Sequence, residues 1–260
     1  MKKIKLLLCL FMLTTLCGCS NSNKNKSSKT LNAAMFWIST SLDPTNNYDG
    51  WVLSRIGVGE TLLKLNEKYE VEPSLAKSYE QIDDTTWKLT LKDSITFSNG
   101  KKVTGENVKA CLERAFEKNT RAIDYFDLNH VEAAEQDVYL YLNKSSGAIL
   151  NNLCEPLFTI YDASQSEEDI ANNPLCTGPF VVDDFVSEKT IDTSKNKKYY
   201  DGKAKLDHVH FSQVADSDAR VLALQSGEVD LANTIDYSSL KLFRNNKNYH
   251  VLEVLGPRTN

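Results

Sequence analysis

The sequence predicts a mixed α/β body, with mixed sheets and packed helices, carried behind an export signal and a polar tether. Three observations lead there. A short apolar run near the N-terminus is followed by a tract of Ser, Asn and Lys; period-two alternation marks strands from residue 31 onward; and apolar residues at helical spacing recur between those strands. At 260 residues and 41% hydrophobic, with no second apolar run long enough to span a bilayer, the body can bury a real core as one domain or two sub-lobes.

Lys2, Lys3 and Lys5 form a basic region, and residues 6–16 an apolar one too short for a permanent bilayer helix, which needs about 20 residues. Residues 1–19 therefore read as a signal. Their end, Leu16-Cys17-Gly18-Cys19, resembles the lipobox of bacterial lipoproteins, which implies cleavage before Cys19 and acylation of its sulfur, a palmitate-type anchor in the bacterial cell membrane. Each buried methylene contributes about 0.8 kcal/mol, so several acyl chains hold firmly. An ordinary signal peptide with incidental cysteines is the alternative, and both place the body outside the cytoplasm. Residues 20–30 hold almost nothing apolar and read as a flexible tether.

Beyond the tether, residues 31–37 form an apolar strand and residues 62–65 another. Residues 86–92 alternate, with Trp87, Leu89 and Leu91 on one face and Thr86, Lys88, Thr90 and Lys92 on the other. Asn99-Gly100 supplies a turn, and Thr104 caps a helix whose Val108, Cys111, Leu112, Ala115 and Phe116 share one face. Residues 137–142, 181–186 and 207–214 read as strands and 147–157 as a helix. Residues 217–226 form a short helix with Asp216 or Ser217 as N-cap and Gly227 as its stop. A last apolar strand covers 250–255.

The formal net charge is -5, and loss of the three signal lysines makes the mature chain more acidic still, which disfavours nucleic acid as a partner. Of six cysteines, Cys111, Cys154 and Cys176 lie in the body; they are far apart, and Cys111 and Cys154 sit in apolar helical patterns as buried thiols. His208 and His210 share a strand face, but no third ligand follows, and solvent-facing histidines are the better reading. No nucleophile elbow, zinc-protease, Walker or dinucleotide motif occurs, so the sequence offers no catalytic residue, metal site or cofactor.

What recurs is punctuation between elements. Glu72-Pro73-Ser74-Leu75-Ala76, Trp87-Lys88-Leu89-Thr90-Leu91-Lys92, Phe97-Ser98-Asn99-Gly100 and Val103-Thr104-Gly105-Glu106-Asn107-Val108 come in that order. Thr177-Gly178-Pro179-Phe180, Tyr199-Tyr200-Asp201-Gly202-Lys203 and Ala223-Leu224-Gln225-Ser226-Gly227-Glu228-Val229-Asp230-Leu231 follow. Together they resemble the family 5 extracellular solute-binding proteins that serve ABC importers of peptides and nickel. The resemblance covers nearly all of residues 31–255. It implies a type II periplasmic-binding-protein-like fold, a permease and an ATPase as partners, a monomer, and no enzymatic activity.

Within that family, Trp37, Leu42-Asp43-Pro44, Trp51 and Gly57-Val58-Gly59-Glu60-Thr61-Leu62 resemble nickel-type members, which carry nickel as a chelate with small carboxylate-bearing molecules. Arg121 stands where those members have a ligand-binding arginine, and a guanidinium can grip a carboxylate bidentately. A solvated or structural arginine is the competing reading. Arg55 and Trp51 are further candidates. Asp124 stands where a cleft tryptophan is found and Glu155 where some members have a second arginine, so a related but different ligand is open. The family's peptide-terminus carboxylate and nickel histidine match nothing here. Residues 31–260 resemble an N-terminal half with an incomplete second lobe, for which weak or absent binding is expected. The rival functions are an oligopeptide or dipeptide carrier, a truncated relic, a secreted hydrolase and an adhesive surface protein.

Overall fold

The computed structural model describes residues 28–253; the signal with Cys19, the tether up to residue 27 and residues 254–260 lie outside the described residues. β1 (Thr30–Met35) buries Ala33, Ala34 and Met35. It begins on the last residue of the expected tether, because Lys29 N–H already donates to Asp207 Oδ2 at 3.0 Å. A loop leads to α1 (Gly50–Arg55), a short helix that buries Val52 and Leu53. β2 (Leu63–Leu65) and β3 (Val71–Pro73) pair as an antiparallel ribbon.

β4 (Ala76–Gln81) and β5 (Thr86–Leu91) open a second sheet. Leu89 and Leu91 of β5 are fully buried and Trp87 packs half-buried against the same core. Thr86, expected on the polar face, is buried as well, since it closes the tight turn in which its N–H donates to Asp83 O. α2 (Gly105–Lys118) is the expected helix. Asn107 Oδ1 accepts from Thr104 N–H at 3.0 Å and from its hydroxyl at 2.9 Å, which fixes the first turn. Val108, Cys111, Leu112 and Ala115 stack on its buried side. After α3 (Ala122–Tyr125), β6 (Leu128–Ala134) and β7 (Asp137–Leu142) complete an antiparallel sheet of order β4-β5-β7-β6, on which α2 packs.

The single helix expected over 147–157 does not form. α4 (Ile149–Asn152) ends in a turn, and a 3-10 turn follows at Pro156–Phe158. Pro156 has no N–H to continue the helix and holds Glu155 extended, at φ -68° and ψ 130°. Cys154 is therefore half-buried in a turn rather than on a helix face. All three body cysteines are free thiols. α5 (Glu167–Asn172) is capped by Ser166, whose hydroxyl oxygen accepts from Asp169 N–H at 3.1 Å.

β9 (Thr190–Lys195) runs antiparallel to both of its neighbours, β8 (Phe180–Val186) and β10 (His208–Gln213). α6 (Ser217–Ser226) is capped by Asp216, whose Oδ1 accepts from Ala219 N–H at 2.7 Å, and stops at Gly227, whose φ of +77° suits glycine. β11 (Leu231–Ala232) and α7 (Lys241–Arg244) follow. The first sheet has the order β11-β1-β10-β9-β8, with β1 parallel to β10 and β11. The strand expected at 250–255 is absent over residues 250–253: with no neighbour to pair with, Leu252 is 88% exposed. One large core joins β1, α1, β5, α2 and β7, and a small one, Ala34, Ala223 and Val229, lies between α6 and β1. Among the described residues no helix is long and apolar enough to cross a membrane.

Candidate functional site

Three segments converge beside α1: the loop before it, the start of α3, and the turn after α4. The loop is fastened from below. Asp43 Oδ1 accepts from Thr45 N–H at 2.9 Å and from its hydroxyl at 2.8 Å. Arg114 of α2 grips both Asp43 oxygens, Nη1 at 2.9 Å from Oδ1 and Nη2 at 2.7 Å from Oδ2, and donates to Thr45 Oγ1 and Tyr161 Oη. Burial pushes the Asp43 carboxyl up, but the bonds from Arg114 and Thr45 outweigh it and hold the group below the usual range. Asn119 Nδ2 donates to Thr45 O and Asn47 O, each at 3.1 Å, and Asn47 itself takes a left-handed φ of 46°. Asp49, buried at the head of α1 with Asn46 Nδ2 2.7 Å from its Oδ2, is pushed up to about 6 by burial.

Gly50 sets the next contact. A Cβ there would lie 2.3 Å from the Pro156 carbonyl oxygen, so only glycine lets α1 start so close to the 3-10 turn. That approach brings Trp51 Nε1 to 2.9 Å from Glu155 Oε1. Arg55, one turn along α1, lies over the Trp51 ring at 5.5 Å and the Phe36 ring at 5.4 Å.

Arg121 comes from the other side. Its Nη1 donates to Asn47 O at 2.9 Å, its Nη2 to Tyr125 Oη at 2.7 Å, and its guanidinium carbon sits 3.7 Å from the Tyr48 ring centroid. Nη2 is also 3.8 Å from Glu155 Oε1. Tyr125 is held by an aromatic cluster in which Phe158 meets Tyr125, Phe116 and Phe126 with centroids 5.1–6.0 Å apart, and by Asn152, whose amide donates to Tyr125 O. Burial, then the Glu155 charge, pushes the Tyr125 hydroxyl up to about 12, so it stays a donor. The rings of Tyr48 and Trp51 remain exposed, at 54% and 37%.

Of the residues singled out from sequence, Trp51 and Arg121 meet at Glu155, and Arg55 lies over the Trp51 ring. Trp37 lies just past β1, half-buried on the main core, and its neighbour Phe36 is the one that meets Arg55. Tyr48, Tyr125 and Asn47 were missed as site residues. The i, i+4 spacing of Arg121 and Tyr125 would have flagged one of them. Elsewhere, Glu60 is a clasp: its carboxylate accepts from Thr177, Tyr199 and Tyr200 at 2.8–3.2 Å, and burial raises its pKa. His208 is exposed, and His210 Nδ1 is 2.7 Å from Asp192 Oδ1. Among the described residues no group of His, Cys, Asp or Glu is gathered as a metal would need.

The Arg121 guanidinium is thus fixed by a carbonyl and a hydroxyl, stacked on one tyrosine and flanked by exposed rings. Residues 70–260 match the bacterial extracellular solute-binding proteins, family 5 Middle, and the chain belongs to that family of binding proteins, which are not enzymes. The nickel-binding protein NikA of Staphylococcus aureus is 32% identical over 244 residues, 94% of this chain and 48% of that one. The crystal structure of S. aureus NikA in complex with Ni(L-His)2 aligns with a TM-score of 0.80, covering 85% of this chain and 47% of the other. The glutathione-binding protein GsiB of Escherichia coli O157:H7 is 28% identical over 200 residues, 74% of this chain and 39% of that one. The fold is thus the type II periplasmic-binding-protein-like arrangement, and the chain spans about half the length of these relatives or less.

Proposed function

We propose that this chain forms part of the ligand-binding wall of an ABC importer's solute-binding protein, with a nickel chelate as cargo. Arg121 grips a carboxylate of the chelator, Trp51 and Arg55 flank it, and Trp37 backs the wall from the core. The observation that carries this reading is the Arg121 guanidinium, held at one N–H of each terminal nitrogen by Asn47 O and Tyr125 Oη, with further N–H groups left for a ligand. The likeness to NikA supports nickel as the metal. The likeness to GsiB favours a second reading, a small peptide, whose terminal carboxylate would take the same arginine. On either reading residues 1–19 are a signal, Cys19 carries the lipid that anchors the protein to the outer side of the bacterial membrane, residues 20–30 are the tether, and residues 31–260 belong to the solute-binding domain. A monomer delivers its cargo to a permease driven by an ATPase.

Charge-assisted hydrogen bonds contribute about 1.5–3 kcal/mol each. Two of them correspond to about -4 kcal/mol, a dissociation constant near 1 mM. Titration of the purified protein with nickel–histidine, followed at the Trp51 indole by NMR, should shift that resonance, and Arg121→Ala should weaken binding by ~10-fold or more. An Arg121→Ala protein that titrates like the parent, or a silent Trp51 at roughly 10 mM chelate, would refute the reading. A response to a dipeptide but not to the chelate would select the second one.

A further inference from the structure

The turn after α4 puts a carboxylate beside the arginine. Glu155 Oε1 accepts from Trp51 Nε1 and stands 3.8 Å from Arg121 Nη2, too far for a hydrogen bond. Its side chain is 13% exposed, against 26% for Arg121, so the two charges lie side by side, half-withdrawn from solvent. The backbone dictates this placement, since Pro156 holds Glu155 extended and Gly50 seats the start of α1, and with it Trp51, against Pro156. A carboxylate offers about four lone-pair sites, and Trp51 occupies one of those on Glu155.

We propose that Glu155 is a specificity residue: it selects metal chelates built from amino acids, which present a carboxylate and an amine N–H together, over chelates built from carboxylates alone. The inference rests on the reading that Arg121 holds a chelator carboxylate. With that carboxylate on Arg121, the rest of an amino-acid chelator lies against Glu155. A metal-bound amine keeps its N–H groups, and the metal draws electron density from them, so they are strong donors to an ionised acceptor. A carboxylate-only chelate offers Glu155 no amine N–H and adds negative charge beside it. Rejection by like charge, with acceptance by a matched donor, is how a site separates two anionic ligands of similar size.

The test compares nickel–histidine with nickel–tricarballylate, whose chelator has three carboxylates and no hydroxyl, on the parent, Glu155→Gln and Arg121→Ala proteins, reading each dissociation constant by NMR at the Trp51 indole. Glutamine keeps the length of the side chain and can still accept from Trp51, so thermal unfolding of that variant should match the parent. The parent should prefer nickel–histidine by ~10-fold or more, and Glu155→Gln should lower that ratio at least ~5-fold, mainly by improving nickel–tricarballylate. A purely structural Glu155 would leave the ratio alone. If both chelates bind, Arg121→Ala weakens both and the Glu155→Gln ratio stays within ~2-fold of the parent, the role of Glu155 is overturned while the arginine reading stands. A parent with no preference for nickel–histidine also overturns it. If neither chelate binds the parent, both readings fall.

Discussion

Replacing Arg114 by methionine keeps the apolar stem of the side chain but leaves Asp43 as a nearly buried carboxylate without its cation. The parent side chains are 10% and 12% exposed and share two hydrogen bonds, at 2.9 and 2.7 Å. Breaking such a buried pair costs about 3–5 kcal/mol, mostly from the stranded charge. The additional bond to Glu167, whose side chain is 66% exposed, adds at most about 1 kcal/mol. For a body of this size each kcal/mol moves the melting temperature by about 2–4 °C, so the drop at pH 7.5 should be roughly 6–20 °C. The pH dependence carries a sign. In the parent, Asp43 titrates below its usual 3.8, so its contribution is complete above that pH and is lost only as the pH falls through the depressed value. In the variant, burial, the largest influence on the group, is opposed by the two Thr45 bonds but no longer by Arg114, so the carboxyl moves up and the deficit should shrink as the pH falls from 7.5 to 4.5. Thermal unfolding by circular dichroism at both pH values measures this, and Asp43→Asn on the variant should restore part of the loss. A loss under about 1 kcal/mol at pH 7.5, or a deficit as large at pH 4.5, would refute the argument.

Two further outcomes follow from the same loop. Asp49 titrates near 6, above the ordinary 3.8, so its ionisation destabilises the fold progressively as the pH rises from about 4 and fully above 6. Asp49→Asn should therefore raise the melting temperature at pH 7.5, by roughly 1–3 kcal/mol of stability, and leave it unchanged near pH 4; equal effects at both would contradict the burial argument. Gly50→Ala would drive a Cβ to 2.3 Å from Pro156 O, backbone that cannot step aside cheaply, at a cost of about 1–3 kcal/mol. The Trp51 indole resonance should move with it, and an unchanged melting point with an unchanged indole would show that α1 shifts freely.

The sequence by itself determined what depends on neighbours a few residues apart. The alternation of Leu89 and Leu91 in β5, the buried stripe of α2, and the Asp216 cap and Gly227 stop of α6 are local rules, and each holds in the structure. The motif order likewise identified the family. Tertiary structure decided the rest. Residues 147–157 carry a helical apolar pattern, but Pro156 breaks it, and the broken end is what aims Glu155 at Trp51. The Trp51–Glu155 bond closes 104 residues of sequence and the Arg121–Asn47 bond 74, distances over which periodicity carries no information. Arg220 gives no sign in the sequence of its role: nearly buried on α6, it donates to the carbonyls of Val214, Ala215, Asn233 and Thr234. A polar side chain is assigned by the partners that satisfy it once water is gone, and those partners meet only when the chain has folded.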